Sequence, residues 1–204
     1  GVSLDTSKVF IRTVGIAVLF LFIISLRGYS LVKSAKKHTG LWVVRYQLKS
    51  RQNIDKIVDF AATNGISDIF VQVIGRGRTY YHCDILPTNP IVAPKKWDPL
   101  SYLCKQANRR KLNVHAWLNV FLVWSKSQKP RDKEHFINKR RNWFTINSSG
   151  QSILSLSAPK IKSQAIEGRF LSPAVPQVRT KYQAIIKDLI TRYDIHGVHL
   201  DYIR

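Results

Sequence analysis

Short apolar segments that alternate with amphipathic helical segments constrain the fold of this chain more than any other feature. The apolar segments are predicted to be β-strands at residues 41–46, 68–74, 114–120 and 197–201. Strands that are apolar on both faces and separated by helices are typical of a parallel sheet with helical crossovers. The alternation therefore predicts an α/β fold.

The helical segments between these strands carry recognisable start signals. Ser50 or Asn53 can cap the first helix. Asp98 followed by Pro99 is a cap and first-turn pair for the second helix, and the third is predicted to begin near Pro176. The apolar side of the third helix is predicted to consist of Val178, Tyr182, Ile185, Ile186, Leu189, Ile190 and Tyr193.

Four strands joined by three helices are half of an eight-stranded parallel (β/α)8 TIM-type barrel. We therefore expect residues 40–204 to be the amino-terminal half of such a barrel, which ends at strand four, and the other strands to lie beyond residue 204. An open, doubly wound sheet is the alternative. It is disfavoured because residues 46–53, the first strand-to-helix turn, contain no glycine to bring the backbone against a pyrophosphate.

An apolar leader precedes the predicted barrel. Residues 14–26 are continuously apolar and follow Lys8 and Arg12, which is typical of a secretory signal. If the run is extended towards the N-terminus, it is long enough for an uncleaved membrane anchor. Residues 1–30 are thus predicted to be a signal peptide or an anchoring apolar helix, and residues 31–39 a basic linker. Either alternative predicts an exported protein that is anchored in the cell envelope, periplasmic or secreted.

The net charge of +21 is compatible with a polyanionic partner, although solvated lysine and arginine side chains explain it equally well. Nucleic acid is not predicted as a partner, because no helix-turn-helix, RNP-like or zinc-finger spacing accompanies the charge. Cys83 and Cys104 lack a metal-type spacing, and we expect two free buried thiols, with a disulfide as the alternative. No metal or other cofactor is predicted.

Polar and aromatic residues cluster where the predicted strands end. In a parallel barrel the loops that follow the strands build the active site at this edge. The candidate substrate-binding residues are Arg45, Arg76, Arg78, Trp117, Asn119, Tyr202 and Arg204. Guanidinium and amide groups bind hydroxyls, and flat aromatic rings stack on sugar faces, so these residue types predict a carbohydrate site.

Asp201 ends the fourth predicted strand and delivers a carboxylate to this edge, where it either contacts a ligand or forms a structural ion pair with Arg45 or Arg204. The other carboxylates in loops at this edge, each expected to be solvated or ion-paired, are Asp84, Asp132, Glu134 and Glu167.

Three further features have open interpretations. The connection at residues 121–174 is long, and long connections are usually functional or disordered. Residues 75–78, with two glycines and two arginines, form either a ligand-contacting loop or a plain turn. His115 and His199 either line the site or are polar core residues. The aromatic residues of the long connection are Trp124, Phe136, Trp143 and Phe144.

The chain resembles glycosyl hydrolase-like family 10, the bacterial DUF187 group with YngK-type lipoproteins. Five ordered stretches carry the resemblance: GLWVVR (40–45), FVQVIGRGRTYY (70–81), HAWLN (115–119), LSPAVPQVR (171–179) and YDIHGVHLDYIR (193–204).

The resemblance implies an exported TIM-barrel glycoside hydrolase, with Asp201 as the expected catalytic carboxylate. Glycoside hydrolysis normally requires two carboxyl groups, and the second is expected on strands beyond residue 204. Many relatives have Asp-Gly where this chain has His196 and Gly197. The expected substrate is a polysaccharide or peptidoglycan-type glycan of the cell envelope or the extracellular space, and the half-barrel alone is expected to be inactive. The alternative function is non-catalytic binding of an anionic polysaccharide or peptidoglycan by the basic face and the arginines.

Overall fold

The computed structural model describes residues 38–94 and 96–203. The predicted leader, residues 1–30, lies outside the described residues, as do most of the predicted linker and Arg204, so the predictions for them stay predictions. None of the helices in the described part of the chain is long and apolar enough to cross a membrane.

Helices and strands alternate along the described chain. In order they are β1 Gly40–Val43, α1 Arg51–Thr63, β2 Asp68–Gly75, β3 Arg78–Thr79, α2 Pro99–Arg109, β4 Asn113–Asn119, β5 Leu122–Trp124, α3 Phe136–Lys139, α4 Ala158–Ser163, β6 Arg169–Phe170, α5 Pro176–Arg192 and β7 Gly197–Asp201. Short 3-10 turns lie at Arg45–Lys49, Arg141–Trp143 and Ile153–Ser155.

The main sheet has the strand order β1-β2-β4-β7, and every neighbouring pair in this order is parallel. Helix α1 follows β1, α2 lies between β2 and β4 in the chain, and α5 precedes β7. β3 turns back antiparallel beside the end of β2. The predicted α/β class with a mostly parallel sheet is confirmed. The first strand is shorter than predicted, because the chain enters a 3-10 turn at Arg45.

The predicted helix starts are confirmed, and the structure selects Ser50 over Asn53 as the first cap. The Ser50 hydroxyl accepts a hydrogen bond from the backbone N–H of Asn53. Asp98 caps α2 by accepting from two backbone N–H groups, with Pro99 at the first helical position. In α5 the predicted apolar side is correct except at Ile190, which is 60% exposed. One residue advances a helix by about 100°, so Ile190 is turned away from the face that holds its buried neighbour Leu189.

The two faces of the main sheet differ in chemistry. The prediction of strands that are apolar on both faces fits β2, which is buried along nearly its whole length, but it does not fit β4. Along β4, buried Val114, Ala116 and Leu118 alternate with half-buried His115 and Trp117. The former belong to the apolar core that includes residues of the helices. The opposite face is aromatic and polar. In the sequence, aromatic residues were counted as apolar. This hid the two-residue alternation that is typical of a strand with only one face in the apolar core.

The aromatic face consists of side chains at matching levels of neighbouring strands. Trp42, Phe70 and His115 are register partners on β1, β2 and β4. The Trp42 and Phe70 ring centroids lie 4.5 Å apart and those of Phe70 and His115 4.6 Å apart, both stacked. His199 meets the rings of Trp42, Phe70 and Trp117 edge-on. This face is therefore a continuous aromatic layer across the sheet.

A buried carboxylate ties the amino ends of the strands together. Asp68, at the start of β2, is 7% exposed. Its oxygens accept hydrogen bonds from the four side chains of His38, Ser67, Asn113 and His115, at 2.5 to 3.0 Å. Burial alone would raise the pKa of Asp68, but these hydrogen bonds outweigh burial and hold the pKa well below its usual range. The charged carboxylate thus fixes β2 against β4 and the segment before β1.

The long connection is an ordered part of the fold. Within residues 121–174, β5 pairs antiparallel with β6, and α3 and α4 lie between these two strands in the chain. Its four aromatic residues are each at most 9% exposed and pack into the core: Trp124, Phe136, Trp143 and Phe144. Phe136 and Trp143 also line a cleft of about 320 Å³.

Both cysteines are buried free thiols, as predicted. Burial raises the pKa of the Cys104 thiol to about 12, which keeps this side chain protonated and unreactive at neutral pH.

We expect Asp68→Asn to lower the free energy of unfolding by about 1–3 kcal/mol at pH 7, because an amide nitrogen would face groups that donate hydrogen bonds. The pKa of Asp68 is lower in the folded than in the unfolded state, where it is about 4. The stabilisation is therefore complete above about pH 4 and is lost as the pH falls through the folded-state pKa. Urea denaturation at pH 7 and pH 3 measures the difference.

The matched control is Asp194→Asn, which changes an exposed carboxylate with one hydrogen-bond donor, Asn108. It should leave the stability nearly unchanged at both pH values. A difference between Asp68→Asn and the natural protein that does not shrink in acid would contradict the assignment.

Candidate functional site

Parallel pairing brings the predicted site residues to one edge of the sheet. Arg45 follows β1, Arg76 follows β2, and Asn119 and Asp201 end β4 and β7. Asn119 and Asp201 are direct register partners. The carboxyl ends of four neighbouring strands thus present two guanidinium groups, an amide and a carboxylate beside one another.

The Asp201 carboxylate is held in one orientation. The indole Nε1 of Trp117 donates to Oδ2 at 3.1 Å, and the backbone N–H of Tyr202 donates to Oδ1 at 2.8 Å. Asp201 is half-buried beside a cleft of about 370 Å³. Each carboxylate oxygen therefore has one fixed donor and keeps further lone-pair capacity for a ligand.

The backbone after Asp201 is strained. Tyr202 has φ of 54°, a left-handed conformation that is costly for a side chain other than glycine. The Tyr202 carbonyl accepts from the backbone N–H of Phe121 at 3.1 Å, and its ring lies 6.3 Å from that of Phe170. The long connection thus helps to hold the end of β7 in this conformation. Such strain is common where a structure presents functional side chains.

A buried amide that the sequence analysis missed links two of the predicted residues. The Nη1 of Arg45 donates to Oε1 of Gln72, and Nε2 of Gln72 donates to Oδ1 of Asn119 at 2.8 Å. Gln72 is 2% exposed. Its signal in the sequence is a lone amide within the apolar run of β2. Arg45 therefore does not form the alternative structural ion pair with Asp201.

The direction of this hydrogen-bond chain has only one solution. A guanidinium can only donate, so Gln72 must accept with its oxygen and donate with its nitrogen. Asn119 then accepts with Oδ1, which leaves its Nδ2 hydrogens at the strand end next to Asp201 in the register. The Asn119 nitrogen is thus a donor beside the Asp201 carboxylate, which is an acceptor. A sugar hydroxyl both accepts and donates hydrogen bonds, so it fits this pair.

The turn after β2 is locked by a buried histidine. His135 is fully buried, its Nδ1 accepts from the backbone N–H of Ile137, and its Nε2 lies 2.9 Å from the carbonyl of Arg76. Nε2 must carry the proton, since a carbonyl only accepts. Burial lowers the pKa of His135, which favours this neutral form. Gly77 has φ of 65°, and a Cβ there would lie 2.7 Å from the His135 Nε2.

The two arginines of this turn have different surroundings. The Arg76 guanidinium reaches the hydroxyls of Tyr46, at 3.1 Å, and Ser125, at 3.2 Å. Arg78 instead forms an ion pair with Asp132 at 3.1 Å. The structure therefore groups Arg76 with Arg45, whereas Arg78 is paired with Asp132 within the protein.

The predicted loop carboxylates differ in their surroundings: some are ion-paired, and one shares a cleft with Asp201. Asp132 and Glu134 are ion-paired, as predicted, the latter with Lys139. Glu167 lines the same cleft as Asp201. Its neighbour Gly168 packs so closely that a Cβ would meet the Trp124 carbonyl oxygen at 2.3 Å, which fixes the backbone beside Glu167.

The two histidines of the aromatic face serve different ends of the sheet. His115 is bound to Asp68 at the amino end and is a polar core residue. His199 lies among aromatic rings, including that of Trp117, next to the Asp201 end. Among the described residues no group of three or more His, Cys, Asp or Glu side chains is arranged to hold a metal ion.

These features define an α/β protein with a parallel sheet and a polar, carboxylate-containing edge at the strand ends. The chain belongs to the Glycosyl hydrolase-like 10 family, whose model matches residues 26–203. The predicted family resemblance is confirmed.

Relatives of known name are similar over most of this chain. Glycosyl hydrolase DigH of Escherichia coli strain K12 is 27% identical over 163 residues, which are 77% of this chain and 35% of the relative. Glycosyl hydrolase YngK of Bacillus subtilis is 19% identical over 160 residues, 75% of this chain and 28% of the relative. The chain thus spans about a third of the length of these relatives.

Solved structures share the fold at low sequence identity. A hypothetical protein of Ruminiclostridium thermocellum has a TM-score of 0.52 and 16% identity, over 80% of this chain and 76% of that one. The noncanonic maltogenic alpha-amylase AmyB of Thermotoga neapolitana has a TM-score of 0.51 and 12% identity, over 83% and 40% of the two chains. These likenesses concern the fold alone.

We expect Gly77→Ala to be more destabilising than Gly150→Ala. Both glycines have positive φ, but a Cβ at Gly150 meets nothing within 4 Å, whereas one at Gly77 meets His135. The left-handed conformation alone costs about 1–2 kcal/mol. Gly77→Ala should exceed that by roughly 1–3 kcal/mol, as overpacked sites do. Equal losses in urea denaturation would show that the contact with His135 does not restrict this turn.

Proposed function

We propose that the protein is a glycoside hydrolase that acts on a glycan of the cell envelope or the extracellular space, of polysaccharide or peptidoglycan type. The observation that carries the proposal is the carboxylate of Asp201. It is oriented by Trp117 and the Tyr202 backbone at the end of a parallel strand, in a chain of the Glycosyl hydrolase-like 10 family. Family membership supports hydrolysis as the reaction class, and the geometry of the site supports Asp201 as the catalytic residue.

The described sheet is, in this proposal, the amino-terminal half of a (β/α)8 TIM-type barrel. In the described residues β1 and β7 each have only one partner strand, so both sheet edges are open. Trp42 on the aromatic face is 53% exposed. The relatives are about three times as long as the matched region, which leaves room for further strands. Strands that continue beyond β7 and close on β1 would cover the aromatic face.

Asp201 acts in this proposal as nucleophile, base or charge-stabilising carboxylate. The sugar at the scissile bond develops positive charge in the transition state, which a fixed carboxylate stabilises more than it does the neutral ground state. Asn119 donates to a hydroxyl beside it, and the Trp117 ring is placed for contact with a sugar face. Tyr202 and Arg204 follow Asp201 in the chain and are proposed to bind the same substrate.

A second carboxyl group completes the reaction. A separation of about 5–5.5 Å from Asp201 gives retention and about 6.5–9.5 Å gives inversion. We propose that this group lies on strands beyond the described sheet. Glu167 is the one of the four predicted loop carboxylates that shares the Asp201 cleft, and it is the candidate to test first within this chain.

We also propose that the protein is exported. The support is the apolar run at residues 14–26 after two basic residues.

Binding of an anionic glycan without hydrolysis is the second candidate function, and the pair of arginines at the strand ends favours it.

In the full-length polypeptide Asp201→Asn should abolish glycan turnover while leaving ligand binding within about tenfold. The substitution keeps the size and one accepting oxygen but removes the charge, so the transition state suffers more than the ground state. Release of reducing ends measures turnover, and equilibrium binding of the same glycan measures affinity. The control with the same chemical change is Asp59→Asn. Asp59 lies on α1 and forms an exposed ion pair with Arg110.

Near-normal turnover by Asp201→Asn on a glycan that the natural protein cleaves would refute the catalytic role. Loss of turnover in Glu167→Gln as well would identify Glu167 as the second carboxyl group. Binding without turnover in the natural protein would favour the non-catalytic function.

The location is tested by cell fractionation of the natural host. If the leader is cleaved, the mature protein begins near Leu31 and partitions with the soluble envelope fraction. If it is retained as an anchor, the protein stays in membranes after carbonate extraction. Cytosolic protein with residues 1–30 intact would contradict both forms of the proposal.

A further inference from the structure

Two arginines at the strand ends converge on one phenol. Nη2 of Arg45 donates to the Tyr46 hydroxyl oxygen at 3.0 Å, and Nη1 of Arg76 donates to the same oxygen at 3.1 Å. Two positive charges therefore lie within a few ångströms of each other around a neutral group. In the part of the chain that the structure describes, neither arginine has a carboxylate within ion-pair distance. By contrast, other arginines of this chain pair with acidic side chains, namely Arg78, Arg110 and Arg192.

Arg45 is held in place by its surroundings. A Cβ on Gly75 would lie 2.9 Å from the Arg45 Cδ, so the glycine makes room for the guanidinium. The guanidinium lies over the rings of Tyr46, at 4.6 Å, and Tyr80, at 5.8 Å, and donates to buried Gln72. Its Nε is buried with no hydrogen-bond partner. The charge is thus fixed before any ligand binds.

Arg76 is fixed by different means. Its backbone has φ of 54°, which is costly for a residue with a side chain, and the His135 contact to its carbonyl holds that conformation. The side chain is braced by Ser125 and Tyr46. The fold therefore maintains, in two independent ways, an arrangement that repulsion between like charges opposes.

The phenol completes a set of donors. A tyrosine hydroxyl has two lone pairs and one hydrogen. Both lone pairs of Tyr46 accept from arginines, so its hydrogen is left to donate to a third group. Tyr46 is 46% exposed, so that group can come from outside the protein. Two guanidinium groups and one O–H form a site for an anionic oxygen group, which arginine binds with paired N–H groups.

We propose that Arg45, Arg76 and Tyr46 bind an anionic substituent of the substrate glycan, so that the preferred substrate is an acidic sugar polymer. This inference rests on the proposed action on a glycan. The link to the reacting sugar is the hydrogen-bond chain from Arg45 through Gln72 to Asn119, the register partner of Asp201. Carboxylate, sulfate and phosphate groups share the required chemistry, and the experiment separates them.

The test uses the full-length polypeptide with 15N-labelled arginine side chains. Glucuronate, glucose 6-sulfate, glucose 6-phosphate and glucose are added at one ionic strength, and the arginine Nε resonances are followed by NMR. The proposal expects at least one anionic sugar to shift the Arg45 and Arg76 resonances, while glucose shifts neither and the Arg110 resonance stays in place. The sugar that binds tightest identifies the anionic group.

Variants test the role of each charge. Arg76→Gln should weaken binding of the anionic sugar by about tenfold or more, as expected for a lost hydrogen bond to a charged group. Arg76→Lys keeps the charge but loses the paired N–H geometry, so it should bind less well than the natural protein. Arg110→Gln removes one positive charge from the end of α2, where Arg110 forms an exposed ion pair with Asp59 of α1, and should bind normally.

If no anionic sugar shifts the two resonances, or if glucose shifts them equally, the proposal is wrong. An equal loss in Arg76→Gln and Arg110→Gln would attribute binding to the overall charge and would also overturn it. The binding measurement needs no turnover. Binding of an anionic sugar without any hydrolysis would therefore support this inference and refute the hydrolase proposal. Hydrolysis of neutral glycans without anion binding would support the hydrolase proposal and refute this inference.

Discussion

The register of the parallel sheet is the constraint on which the rest of this structure depends. Side chains at one level of neighbouring strands form rows across the sheet, such as Trp42 with Phe70 and His115. The next rows towards the carboxyl ends place Trp117 beside His199 and Asn119 beside Asp201. A slip by one residue would exchange the aromatic face with the apolar core face and would separate the site residues.

The register is fixed at the end of the sheet that lacks the site. Asp68 joins β2, β4 and the segment before β1 through a charged carboxylate that is buried and fully hydrogen-bonded. A buried charge with several donors is expensive to misplace, because any other register leaves it or its donors unpaired. The structural contact therefore lies at the amino ends and the candidate site at the carboxyl ends, the division of roles that is known from parallel barrels.

Elements with local signals could be predicted from the sequence, while contacts between distant residues could not. The cap at Asp98 and the strand that ends at Asp201 depend on neighbouring residues, and both were predicted. Arg76 and Arg78 are alike in the sequence and differ only because Asp132, far along the chain, pairs with one of them. Gln72 was missed because a single amide in an apolar run is informative only once its partners, Arg45 in the turn after β1 and Asn119 on β4, are known.

The chemical polarity of the site follows from the arginine at its edge. Because Arg45 can only donate, it sets the direction of the two amides that follow it in the hydrogen-bond chain, Gln72 and Asn119. The Asn119 nitrogen is consequently a donor, and the adjacent Asp201 oxygens are acceptors whose own donors come from Trp117 and the Tyr202 backbone. Adjacent hydroxyls of a sugar can accept from the first and donate to the second. A glutamate in place of Gln72 would neutralise Arg45 and could only accept, so the Asn119 amide would turn its nitrogen towards the glutamate and its oxygen towards Asp201. The donor beside Asp201 therefore requires an amide at position 72.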